Sequence, residues 1–173
     1  MRQILTLSIF SLLTLPGFSQ GVFATNSAAV TWDAAAGDNT GWTLISGSDA
    51  DGIPDSDDDV YILAGHTLTV TGNVSRSCNT LEILPNEAGS DVASFVLQGS
   101  FFGPGPTVNV NGDLYMEGDA GGASSPFSVV TINHNTATLN VSGNLIMSTL
   151  TPGGLGAQIA FLKTGTVKIG GDI

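Results

Sequence analysis

A chain of 173 residues, 42% hydrophobic and 11% charged, can bury the core of one domain but not of two. Its 15 acidic residues against 4 basic ones give a net charge of −11, which argues against nucleic acid and anionic membrane surfaces as partners, because both need clusters of Lys and Arg. Divalent cations and neutral glycans stay admissible, and 23 glycines among β-branched runs point to an ordered, turn-rich β structure.

Residues 1–24 read as a signal peptide. Arg2 supplies a short positive region, Ile4 to Leu15 an apolar core, and Pro16-Gly17 breaks that core before a stretch of small residues. Val22-Phe23-Ala24 forms an A-x-A-like site that places cleavage before Thr25, with Ser19-Gln20 as the alternative. The apolar run is about a dozen residues, short of the roughly 20 that a membrane-spanning helix requires. No later stretch would anchor the chain, so the expected mature product is secreted or at the cell surface, without a transmembrane segment.

Residues 25–59 are expected to form an N-terminal cap. They hold Trp32, Trp42 and the acidic run Asp49 to Asp59. Alternate Asp residues with a glycine at the sharp bend suit calcium, which takes six to eight oxygen ligands. Laid on a twelve-residue EF-hand loop starting at Gly47, the run puts Asp49, Asp51, Asp55 and Asp58 at ligand positions three, five, nine and twelve, with Gly52 at six. Gly47 stands where an acid is expected, Asp58 replaces a bidentate Glu, and no helices flank the loop. Its DADGIPD string resembles the calcium-binding thrombospondin type-3 repeat, which strings many such units together, whereas here there is one. A solvated acidic turn capping the first coil is the preferred reading, and calcium bound by these four Asp residues is the alternative.

Residues 60–173 carry the repeat. An apolar-x-apolar-x-Gly-Asn/Asp-apolar phrase recurs as LTVTGNV (68–74), VNVNGDL (108–114), LNVSGNL (139–145) and VKIGGDI (167–173). Alternation puts Leu68 and Val70, Val108 and Val110, Leu139 and Val141, or Val167 and Ile169 on one face. Thr69, Asn109, Asn140 and Lys168 take the other. Gly72, Gly112, Gly143 and Gly171 mark the corners, where glycine reaches positive φ; the spacings between them are 40, 31 and 28 residues. Asn73, Asp113, Asn144 and Asp172 follow, residue types that bond their own backbone. A β-propeller would need tight antiparallel hairpins, and Asn-Gly occurs only at Asn111-Gly112, inside the phrase. The expected fold is therefore all-β, a parallel β-solenoid with an N-terminal capping segment. Runs such as TLEIL (80–84), SFVLQ (94–98), SVVTI (128–132) and AQIAFL (157–162) supply further strands of each coil. Between them, GSFFGPGP (99–106) and EGDAGGASSP (117–126) must be loops.

No catalytic constellation emerges. Cys78 is single, cannot pair within the chain, and reads as a buried side chain beside the TLEIL strand. Glu82, Asp91, Asp113, Glu117 and Asp119 are scattered, Lys163 and Lys168 have no sequence neighbour of opposite sign except Asp172, and His66 and His134 sit in separate polar turns. The GPG at 103–105 is followed by neither a helix nor a third glycine.

The stretch from Trp32 through Trp42 to GIPDSDDDVYILAGHTLTV resembles the opening of secreted surface proteins of the Bacteroidetes type. Pro54, Asp58, Asp59, Val60, Ile62, Gly65, His66, Thr67, Leu68 and Val70 carry the likeness. It is similar also to glycine-rich caps that precede parallel β-helices in some secreted proteins of higher organisms. The resemblance implies that Trp32 and Trp42 plug the open end of the solenoid; stacking on sugar rings is the functional alternative. It also implies a longer protein ending in a sorting domain, so the stop within VKIGGDI is read as a truncated end. Three functions follow: a non-enzymatic exported adhesion or stalk segment touching polysaccharide or other cell-surface components, a carbohydrate-active β-helix whose active residues lie beyond Ile173, and a calcium-stabilised module.

Overall fold

The computed structural model describes residues 20–34, 41–84, 91–100, 102–118, 128–148 and 156–173. The leader residues 1–19, Asp119 and most of the expected loop 117–126 lie outside the described residues.

Among the described residues there is no helix, and the chain runs through short strands. They are β1 (Val22–Thr25), β2 (Ala29–Thr31), β3 (Trp42–Ser46), β4 (Asp59–Ile62), β5 (Thr67–Thr71), β6 (Ser75–Cys78), β7 (Thr80–Ile83), β8 (Ala93–Gln98), β9 (Thr107–Val110), β10 (Leu114–Glu117), β11 (Ser128–Ile132), β12 (Thr138–Val141), β13 (Leu145–Ser148), β14 (Gln158–Phe161) and β15 (Thr166–Ile169). The first sheet has the order β13-β10-β7-β4-β1-β3, the second β14-β11-β8-β5-β2, and the third β15-β12-β9-β6. From β4 onward the chain visits the three in rotation. Neighbours pair in parallel throughout, apart from the antiparallel pair β1 and β3.

Period-2 alternation explains why these residues form strands with one dry face. A parallel sheet covered on both faces reads as a continuous apolar run; here polar residues alternate with apolar ones because only one face is buried. Register then stacks like on like. Phe23, Val60, Leu81, Leu114 and Leu145 make one inward column of the first sheet, and Val30, Leu68, Phe95, Val130 and Ile159 make one of the second. All but Ile159 are buried. Each such side chain contributes on the order of 1.5–3 kcal/mol by leaving water. In the third sheet the column Val108, Leu139, Val167 is headed by Arg76. This sheet is one strand short at that edge, and Arg76 reaches out to pair with Asp33.

The segment 25–59 is continuous with these sheets. Strands β1 and β2 pair with β4 and β5, so residues 22–24, read from sequence as the end of the leader, lie within the first sheet.

The four glycine corners divide. At the turn from the third sheet back to the first, amides donate to carbonyls one circuit earlier: Asn79 to Asp58 (2.7 Å), Gly112 to Asn79 (2.6 Å), Gly143 to Gly112 (2.9 Å) and Gly171 to Gly143 (2.8 Å). Gly72 is not in this line. Its phrase runs along β5 in the second sheet, whereas the other three run along β9, β12 and β15 in the third, and its amide donates to Gln98 at 3.1 Å. Asn79 takes the fourth place, which makes the true spacings 33, 31 and 28 residues. The reasons for glycine differ too. Gly72 has φ +82° with open space where a Cβ would point, so conformation requires it. Among the described residues positive φ occurs only at Gly47, Gly52, Gly65 and Gly72. At Gly143 a Cβ would stand 2.6 Å from the Gly112 carbonyl oxygen, and at Gly171 it would stand 2.8 Å from that of Gly143. Close approach between layers, not left-handed backbone, excludes side chains there.

Substitution separates the two causes. Gly72→Ala is expected to cost roughly 1–2 kcal/mol through the left-handed conformation, and Gly72→Asn less, since Asn tolerates that region. Gly143→Ala is expected to cost roughly 1–3 kcal/mol by overpacking, and Gly143→Asn at least as much. Urea unfolding midpoints of the four variants check this; an Asn rescue at position 143 would contradict it.

Candidate functional site

The acidic turn uses its carboxylates on its own backbone. Asp49 accepts from the amides of Asp51 (3.4 Å) and Gly52 (3.2 Å), Asp51 from Ile53 (2.9 Å), and Asp55 from Asp57 (3.1 Å). Asp58 is buried, with Oδ1 accepting from Gly21 at 2.6 Å and Oδ2 from Asp55 at 2.8 Å. Burial raises the Asp58 carboxyl above its usual range, against the pull of these two amides, and the charges of Asp55 and Asp49 add to the rise. The next residue, Asp59, accepts from Gln20 Nε2 (2.8 Å), Asn79 Nδ2 (2.9 Å) and Thr80 Oγ1 (2.6 Å). The turn thus ties the start of the chain to the corner column. Among the described residues no three His, Cys, Asp or Glu side chains gather as a metal site would require.

Trp32 and Trp42 are both buried, with their rings edge to face at 6.0 Å. Trp42 meets Phe23 at 6.4 Å and Trp32 meets Phe95 at 6.3 Å. Each indole N–H is satisfied, Trp32 donating to the Pro54 carbonyl and Trp42 to that of Trp32, both at 3.0 Å. Neither ring offers a face to a sugar.

The histidines are held separately. His66 Nδ1 meets Thr25 Oγ1 at 2.8 Å, and His134 Nε2 meets the Ser100 carbonyl at 3.1 Å beside a polar cleft of about 490 Å³ that Gln98, Asn133 and Lys163 also line. Cys78 lies fully buried, and burial drives its thiol far above the ordinary range, so it is no nucleophile.

Register brings together a group that spacing along the chain conceals. On the outward face of the first sheet, Tyr61, Glu82 and Tyr115 are consecutive partners on β4, β7 and β10, and Ile146 follows on β13. All three polar members are partly buried. Tyr61 and Glu82 share a hydrogen bond, while the Tyr115 hydroxyl donates to Asp113 Oδ2 at 3.1 Å. Burial lifts the Glu82 carboxyl above its usual range; the Tyr61 hydroxyl lowers it, and the charges of Glu117 and Asp59 raise it further. Burial and then the Glu82 charge raise the Tyr61 phenol. The chemistry is that of two aromatic platforms flanking one acceptor of hydrogen bonds, two rungs of about 4.8 Å apart. Among the carboxylates judged scattered in sequence, Glu82 and Glu117 thus stand on neighbouring strands. The signal available in sequence was the outward position of each Tyr in its alternating strand.

Compared with protein-family models, curated proteins and solved structures, the chain matches none.

Because the acidic turn's oxygens already accept backbone amides, excess calcium is expected to leave the thermal midpoint where chelator leaves it. Calcium at a hundred times its dissociation constant would add about 2.7 kcal/mol, so a clear upward shift would restore the metal reading. Asp58→Asn, which loses one of two buried acceptors, is expected to cost about 1–3 kcal/mol in the same melts.

Proposed function

We propose that this chain is a parallel β-solenoid exported to the cell surface, where it contacts a neutral polysaccharide without cleaving it. Supporting the solenoid is the rotation of successive strands through three parallel sheets in constant register. Supporting export are the charged, apolar and small-residue regions of the first 24 residues, with their likeness to secreted surface proteins. The observation that carries the contact is the row Tyr61–Glu82–Tyr115: rings for stacking on sugar faces around a carboxylate that accepts hydroxyl protons. The acidic surface disfavours anionic polymers.

The stem of an adhesion segment needs a rigid rod with polar sides. The third sheet fits that part, with outward rows Ser75, Thr107, Thr138, Thr166 and Ser77, Asn109, Asn140, Lys168. Asn140 donates to Asn109 Oδ1 at 2.8 Å, so these amides serve each other between layers.

Binding to a panel of neutral and anionic polysaccharides tests the reading, with reducing-end release measured in the same samples. Neutral polymers are expected to bind, with Tyr115→Ala weakening binding at least tenfold and Asn140→Ala leaving it within twofold. Indifference to Tyr115→Ala, or a preference for anionic polymers, would contradict the assignment. Release of reducing ends that Glu82→Gln abolishes would replace contact by catalysis.

A further inference from the structure

We infer that the leader is cut between Ser19 and Gln20, so that the mature chain begins at Gln20. This rests on the exported reading above and adds to it the processing site. Two bonds suit a signal peptidase by sequence: Ala24–Thr25, with Val22 and Ala24 at positions −3 and −1, and Ser19–Gln20, with Gly17 and Ser19 there. The residues between them decide.

Strand β1 is an interior strand of the first sheet, pairing with β4 on one side and β3 on the other. Phe23 is 0% exposed and Ala24 4%. Cleavage before Thr25 would remove the head of the Phe23–Val60–Leu81 column and the ring against which Trp42 packs edge to face. It would leave β3 and β4 with unpaired edges. It would also strip buried Asp58 of the Gly21 amide at 2.6 Å and Asp59 of its own amide's acceptor, the Gly21 carbonyl at 3.0 Å.

Gly21 and Gln20 are built in as well. A Cβ on Gly21 would stand 2.7 Å from Phe23 Cε2 and 2.8 Å from Asp58 Oδ1. One on Gly47 would overlap the Gln20 carbonyl oxygen. Gln20 is exposed, with its side-chain amide on Asp59. Hydrolysis of the Ser19–Gln20 bond adds one water, leaves a carboxylate on Ser19 and frees the Gln20 amine, and disturbs none of these contacts.

Expression of the full chain in a bacterium with its export machinery, followed by N-terminal sequencing and intact mass of the exported product, tests the site. The expected product starts at Gln20, as glutamine or as its cyclised form lighter by one ammonia. Ser19→Leu, bulky at position −1, is expected to accumulate precursor. A product starting at Thr25, or undiminished cutting of Ser19→Leu, overturns the site while keeping export; a chain found uncut inside the cell overturns both. As a second measure, residues 20–173 are expected to melt cooperatively and residues 25–173 well below them or without a transition. Equal midpoints would contradict the inference.

Discussion

The hydrogen bond between backbone segments one circuit apart is the constraint on which this molecule depends. A strand of four residues cannot satisfy its own amides and carbonyls, and its partners here lie about thirty residues away, on the strand of the same sheet before and after. Parallel register fixes more than the ladder. It stacks Val60 on Leu81 on Leu114, closes the corner through Asn79, Gly112, Gly143 and Gly171, and forbids a side chain wherever two corners touch. Since a slip of one residue would turn every inward side chain to water, burial and hydrogen bonding select the same register.

The same stacking dictates how an acidic chain arranges its charge. Like charges on adjacent rungs repel, and the outward positions avoid them. Glu82 has Tyr61 on one side and Tyr115 on the other. At the corner, Asn144 separates Asp113 from Asp172: its amide donates to Asp113 Oδ1 at 2.7 Å, and its own Oδ1 accepts from Asp172 at 3.0 Å. The aromatic row proposed for the polysaccharide is thus also the arrangement that spaces a carboxylate from its kind. At the start of the chain, Asp58 and Asp59 meet donors from Gln20, Gly21, Asp55, Asn79 and Thr80, which spreads two adjacent charges over amides and a hydroxyl.

Much of this was legible in the chain itself, and the remainder had a physical reason to be hidden. Alternation is local, so the dry and wet faces of residues such as Leu139 and Asn140 could be read directly. Phase is not local: LTVTGNV has the same form as the later phrases but runs on another sheet, because the chain between them sets where each circuit turns. The 40-residue gap after Gly72, longer than the 31 and 28 that follow, was the sign of it. Tyr61, Glu82 and Tyr115 are 21 and 33 residues apart, and only pairing makes them neighbours. The A-x-A-like triplet misplaced the leader's end because small and apolar residues suit a peptidase and a buried strand equally. The acidic run, read with calcium as its alternative, spends its oxygens on backbone amides, a use that composition cannot distinguish from metal ligation.

Cysteine cross-linking across one layer tests the stacked register most directly. Thr107 and Thr138 are register partners facing outward on β9 and β12, so their Cα atoms stand about 4.8 Å apart, within disulfide reach. Thr107 and Asn140 are two residues out of register, about 8 Å apart and beyond it. Cys78, buried with its thiol pKa raised, will not compete. Under mild oxidation Thr107→Cys/Thr138→Cys should close rapidly in the folded protein and Thr107→Cys/Asn140→Cys should not. Equal closure of both pairs, or failure of the first, would contradict parallel in-register stacking and everything built on it.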